Sequence, residues 1–145
     1  MLTIVESVTD YSVPVISHSQ DEVFQPDSVH YVDNVVATLW RELSWWPDGN
    51  FYRARTRART TTNQCVDQVN VWAAHELLTS GFWVEQFNSG NYHSSGPCHN
   101  DSSIASMAAG LYYPGQRHRS RGIHVIYVNG QRHAWNETGP ERMIP

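Results

Sequence analysis

At 145 residues, with 40% hydrophobic and 17% charged side chains, the chain can bury the core of one domain and is too apolar to stay disordered. No apolar run approaches the ~18–20 residues that cross a bilayer as a helix, and Met1-Leu2-Thr3-Ile4-Val5-Glu6 shows neither a basic nor an apolar leader region. Net charge is −4, yet residues 1–40 carry six acids and no arginine, whereas the rest carries ten arginines against eight acids. An acidic domain argues against nucleic acid as a partner. The expected location is the cytoplasm, or export without a visible signal peptide. Lysine is absent altogether, which fits either a GC-rich genome or avoidance of lysine-directed modification. The whole chain, 1–145, reads as a single domain.

In chain order, Leu2 to Val8 and Tyr11 to Ile16 alternate as strands, Pro14 implying an edge, and Ser17 to Pro26 reads as a polar loop. Asp27 can cap a helix whose apolar residues Tyr31, Val35 and Leu39, with Val32 and Val36, recur at helical spacing and end near Leu43. Trp45-Trp46-Pro47-Asp48-Gly49-Asn50 is a turn. From Phe51 to Arg59 arginine stands at every second position, so a strand would set Arg53, Arg55, Arg57 and Arg59 on one face. That face suits phosphate or carboxylate groups, or a solvated role opposite the acidic N-terminal segment.

A second helix is expected from about Gln64 to Thr79, with Val66, Val69, Ala73 and Leu77 as its stripe and Gly81 as its C-terminal cap. Phe82 to Phe87 is a strand, 88–103 a long loop, 103–111 a short helix and 114–121 a basic loop. The chain closes on a hairpin turning at Asn129-Gly130. A two-residue turn there pairs Ile126 with His133 and His124 with Trp135, so His124, His133, Trp135 and Glu137 share one face.

Cys65 would open the second helix, where unpaired N–H groups and the helix dipole favour a thiolate. An imidazole on the hairpin could serve as its base, with a carboxylate or amide to orient the ring. Two cysteines without a secretory leader are expected to be free thiols, although they allow one disulfide. His93, Cys98, His99 and Asp101 are zinc-capable, but their spacing matches no common zinc signature, so neither metal nor cofactor is assigned. Trp40, Trp72 and Trp83 read as core, while Trp45, Trp46 and Trp135 could line a groove.

Asn63-Gln64-Cys65-Val66-Asp67 resembles the Gln-Cys-Val-Asp opening of the CHAP amidase/peptidases, and Gly122-Ile123-His124-Val125 resembles their Gly-His-Val strand. His133-Ala134-Trp135-Asn136-Glu137 is similar to the His-Ala-Trp strand of transglutaminase-like enzymes. Both are branches of the papain-like cysteine superfamily. The resemblance implies Cys65 as nucleophile, His124 or His133 as base and Glu137 or Asn136 as orienting group. Gln64 would stabilise the oxyanion, with Trp135 and Trp46 beside the substrate. The chain departs from both patterns, lacking a Pro-Gly-Asp strand entry and any Asp after His133. The expected fold is α+β, two or three helices packed on a mixed, mainly antiparallel sheet ending in a β-hairpin. The expected function is a cysteine-dependent amide hydrolase or acyltransferase acting on peptide or peptidoglycan. The alternative is a non-catalytic binding protein that uses the arginine strand and exposed tryptophans.

Overall fold

The computed structural model describes residues 20–21, 25–107 and 111–145. Among these residues there is no helix, and the expected α+β architecture is corrected to two antiparallel sheets. The first sheet contains β1 (Gln20–Asp21), β2 (Gln25–Val32), β3 (Val35–Asp48) and β4 (Phe51–Val66), and is completed by β8 (His99–Met107). Within it β1 and β2 both pair with β3, followed by β4 and β8. The second contains β5 (Gln68–Thr79), β6 (Phe82–Asn88), β7 (Tyr92–His93), β9 (Arg117–Val128), β10 (Gln131–Thr138) and β11 (Arg142–Met143). Its order is β10-β9-β5-β6, with β7 extending the edge along β5 and β11 extending the edge along β9.

Both long helices are strands for one geometric reason. Residues four apart share a face of a helix, but four is even, so they share a face of a strand as well. Val69, Ala73 and Leu77 satisfy both periods; the residues between them, Val71 and His75, are equally buried and decide for period two. In β3 burial alternates in the same way from Val35 through Ala37 and Leu39 to Arg41, after which every residue to Trp46 is buried. Asp33-Asn34 breaks the first expected helix, with Asp33 at φ 54° and Val32 paired to Val35 across a two-residue turn. Ser80 and Gly81, both at positive φ, turn β5 into β6, so Gly81 ends a strand rather than a helix.

The short helix expected over 103–111 is β8 as far as Met107, and residues 108–110 lie outside the described residues. So do the strands expected at 2–8 and 11–16. The hairpin has the expected turn, Asn129 and Gly130 both at positive φ, and the expected register, His133 opposite Ile126 and Trp135 opposite His124.

Apolar side chains from the two sheets meet in clusters. Val35 and Ala37 of β3 pack with Val69, Ile126 and Val128 at one end; Leu43, Trp45, Ala54, Leu77, Tyr112 and Ile144 pack at the other. Each fully buried Leu or Ile here stabilises the fold by about 1.5–3 kcal/mol. Trp45 and Trp46 are both buried, so neither lines a groove, whereas Trp40, Trp72 and Trp83 are only half-buried.

The alternating arginines do lie on one face of β4, but they are neutralised locally. Arg53 pairs with Asp48, Arg55 and Arg57 with Glu42, and Arg59 donates twice to Asp101, at 3.0 and 2.7 Å. The Asp101 carboxylate beside Arg59 raises that guanidinium's pKa further. These contacts hold β3 and β8 against β4, and such pairing leaves little of this face for an external anion.

Candidate functional site

Cys65 lies near the end of β4 and is solvent-exposed. Its sulfur is bonded to Cys98, with a Cα–Cα distance of 5.1 Å, in the normal range for a disulfide. The expectation of two free thiols, one of them at a helix start, is corrected on both points. No helix dipole acts on the sulfur, and a disulfide sulfur carries no thiolate. The bond closes an irregular stretch of the β4–β8 ladder, which is interrupted between Thr61 and Val66 before Val66 pairs with His99.

The hairpin residues sit elsewhere. His124, Trp135 and Glu137 occupy the face of their sheet that looks into the sandwich, while Asn136, opposite Ile123, belongs to the outer face. His124 is four residues from Val128, the strand residue nearest Cys65's surroundings, or about 13 Å along the strand. His124 is fully buried, its Nδ1 2.9 Å from Thr60 Oγ1. His133 is half-buried and its Nε2 has no partner. Glu137 meets His30 instead, Oε2 lying 4.0 Å from His30 Nε2, and Trp135 stacks on the same ring at 4.7 Å. Ser28 Oγ lies 3.0 Å from that Nε2 as well, so serine and carboxylate compete for one nitrogen and cannot form a relay through the ring. Trp46 is buried on the opposite sheet.

Burial governs the inner histidines. It pushes the His124 pKa down to about 3; a bond to the Arg59 backbone opposes this in part, and Arg41 and His30 add smaller lowering effects. An imidazole of that kind is neutral at pH 7. Gly122 makes room for it, because a Cβ there would come within 2.6 Å of His124 Nε2 while Thr60 holds the ring's other nitrogen. Gly122→Ala is therefore expected to cost about 1–3 kcal/mol in urea unfolding. Unchanged stability would mean that the ring swings aside freely.

The residues considered for zinc are each engaged otherwise. Cys98 is in the disulfide, His93 Nδ1 is 3.0 Å from Asn70 Oδ1, His99 Nδ1 is 2.7 Å from Ser94 Oγ, and Asp101 holds Arg59. Among the described residues no three His, Cys, Asp or Glu side chains are grouped to hold a metal ion.

What surrounds Cys65 is a polar cleft at one end of the sandwich. Its volume is about 320 Å³, near the lower limit of ligand sites, and it is lined by Asn34, Gln64, Cys65, Asp67 and Asn129 over Val35, Val66 and Val128. Three turns converge there: Asp33-Asn34, the β4–β5 junction at Asp67, and Asn129-Gly130. Each is tied down. Gln64 Nε2 donates to Asn34 O at 2.9 Å, Asn63 Oδ1 accepts from Val36 N at 2.8 Å, and Asp67 Oδ2 accepts from Gly130 N at 2.7 Å. Asp67 N in turn donates to Tyr127 O at 2.9 Å. The rim is thus held in place before any ligand arrives. Of the site residues inferred from sequence, Gln64 and Cys65 belong to this cleft; Asn34, Asp67 and Asn129 were missed, because turn residues from three distant segments show no common spacing.

Comparison with known proteins adds no relative: no family model, no curated protein and no solved structure matches the chain. No helix among the described residues is long and apolar enough to cross a membrane.

Proposed function

We propose that the protein is a non-catalytic binding module, a disulfide-braced β-sandwich that takes a neutral, hydroxyl-rich ligand such as a saccharide unit in the cleft beside Cys65. The observation that carries this reading is the cleft's rim, where three turns are fastened to one another by side-chain hydrogen bonds, and where the Cys65–Cys98 bond ties the end of β4 to the start of β8. The lining supplies amide donors and acceptors and one carboxylate, a set that matches hydroxyl groups and gives an anion no cationic partner. Loops at one end of a sandwich are a common place for recognition. A disulfide also supports work outside the reducing cytosol.

Titration of the oxidised, 15N-labelled protein with a panel of mono- and disaccharides tests the reading. Saturable shifts confined to Asn34, Gln64, Asp67 and Asn129 are expected for at least one sugar, weakened several-fold in Asp67→Asn. The reading fails if no sugar gives a saturable shift there, or if the reduced protein hydrolyses peptide or peptidoglycan amides.

A further inference from the structure

Three histidines, His75, His118 and His124, are fully buried on the inner face of one sheet, pressed against the other. Their ring nitrogens are poorly satisfied. His75 Nδ1 is 3.4 Å from Thr56 Oγ1 and its Nε2 has no partner; neither nitrogen of His118 has one; His124 is held by Thr60 Oγ1 and the Arg59 backbone. Buried polar atoms are ordinarily paired, so a layer of this kind calls for an explanation.

The surroundings of each ring decide what protonation would do. His75 on β5 faces Thr56 of β4, stacks on Phe87 of β6 at 4.9 Å, and lies 5.3 Å from the Tyr112 ring and 5.2 Å from the His118 ring. His118 on β9 also faces Trp45 of β3 at 5.1 Å, and Arg142 of β11 acts on it electrostatically. His124 faces Thr60 of β4, Arg41 of β3 and His30 of β2. The acids nearby are committed: Asp27 pairs with Arg41, and Glu137 lies against His30. Glu76 and Glu85, on the neighbouring strands, bind Arg119 and Arg121 on the outer face. The groups that face the three rings are hydroxyls, aromatic rings, histidines and arginines. A proton on one would meet a second histidine or an arginine.

We infer that this layer makes the sandwich an acid-sensitive device, stable while the three imidazoles are neutral and driven to open as pH falls from about 6.5 toward 4. The direction follows from linkage. An unfolded chain binds these protons near pH 6.5. Burial, reinforced by His118 next to His75 and by Arg142 next to His118, holds the folded pKa values at about 3 for His75 and about 4 for His118; His124 stands at about 3. Each group is depressed by folding, so its stabilising effect is complete above pH 6.5 and is lost progressively below it. At pH 5 each unfolded histidine favours unfolding by about thirty-fold relative to neutral conditions, and three together by on the order of 10⁴-fold. Unfolding constants of small domains in water span about 10⁻³ to 10⁻⁸, so a change of that size brings the fold toward its limit.

Two measurements on the intact, oxidised chain test this. In a histidine proton NMR titration from pH 7.5 to 5, three of the eight imidazoles are expected to keep the neutral shift. All eight titrating near pH 6.5 would overturn the inference. Urea unfolding followed by tryptophan fluorescence should show the unfolding constant rising by 100-fold or more between pH 6 and pH 5. In His118→Phe, where an aromatic ring of similar size stays between Trp45, His75 and Tyr112, that rise should shrink by close to ten-fold. A rise below ten-fold in the native chain, or an equal rise in the variant, would also overturn it. The NMR titration needs no variant and remains decisive if His118→Phe fails to fold.

Discussion

Replacing both cysteines, as Cys65→Ser with Cys98→Ser, is expected to lower the melting temperature by roughly 10 °C. The bond joins residues 33 positions apart, and the chain-entropy relation gives about 3–4 kcal/mol for a loop of that length. Local geometry points the same way. The β4–β8 ladder is broken between Thr61 and Val66, and the disulfide fastens the two strands across that break. Each single variant should lose as much as the double, because either one abolishes the same bond. Thermal unfolding of the three variants without reductant checks this; additive losses, or none, would mean that the two sulfurs act separately.

Glu76→Gln is expected to cost about 2–3 kcal/mol, read from the urea midpoint. Glu76 is buried on the outer face of β5 and accepts from Arg119 Nε at 2.6 Å and Arg121 Nη1 at 3.1 Å. Removing one partner of a buried ion pair costs about 3–5 kcal/mol, since the remaining charge stays desolvated. Here both guanidiniums are a quarter exposed, which lowers the figure through solvent screening. Arg121 keeps Glu85 at 3.7 Å, and Arg119 keeps the Trp83 ring, 4.3 Å beneath it. A loss under 0.5 kcal/mol would show that these secondary contacts suffice.

The legible parts of the fold were those governed by local rules. Asn129-Gly130 specified its turn and, through it, the pairing of His124 with Trp135. The arginine alternation marked the first half of β4 correctly because period two has no helical counterpart. Tyr31, Val35 and Leu39, like Val69, Ala73 and Leu77, fit both periods, and the Asp33-Asn34 turn lacks the glycine that would have flagged it. What the inward hairpin face would meet was not legible, because it depends on which sheet lies opposite: His124 faces Thr60 and Arg41 rather than Cys65. The choice between thiol and disulfide at Cys65 likewise rested on whether two strand ends, 33 residues apart in sequence, come together in space. The cleft drew on three turns at once, and no single stretch of sequence contains it.

Counting thiols is the most direct test of Cys65 as a structural brace rather than a nucleophile. Purified without reductant, denatured and treated with Ellman's reagent, the protein should release no thionitrobenzoate, and proteolysis should yield a linked Cys65–Cys98 peptide. Two reactive thiols under those conditions, with Cys65 alkylated in the native state faster than a model thiol at neutral pH, would contradict it.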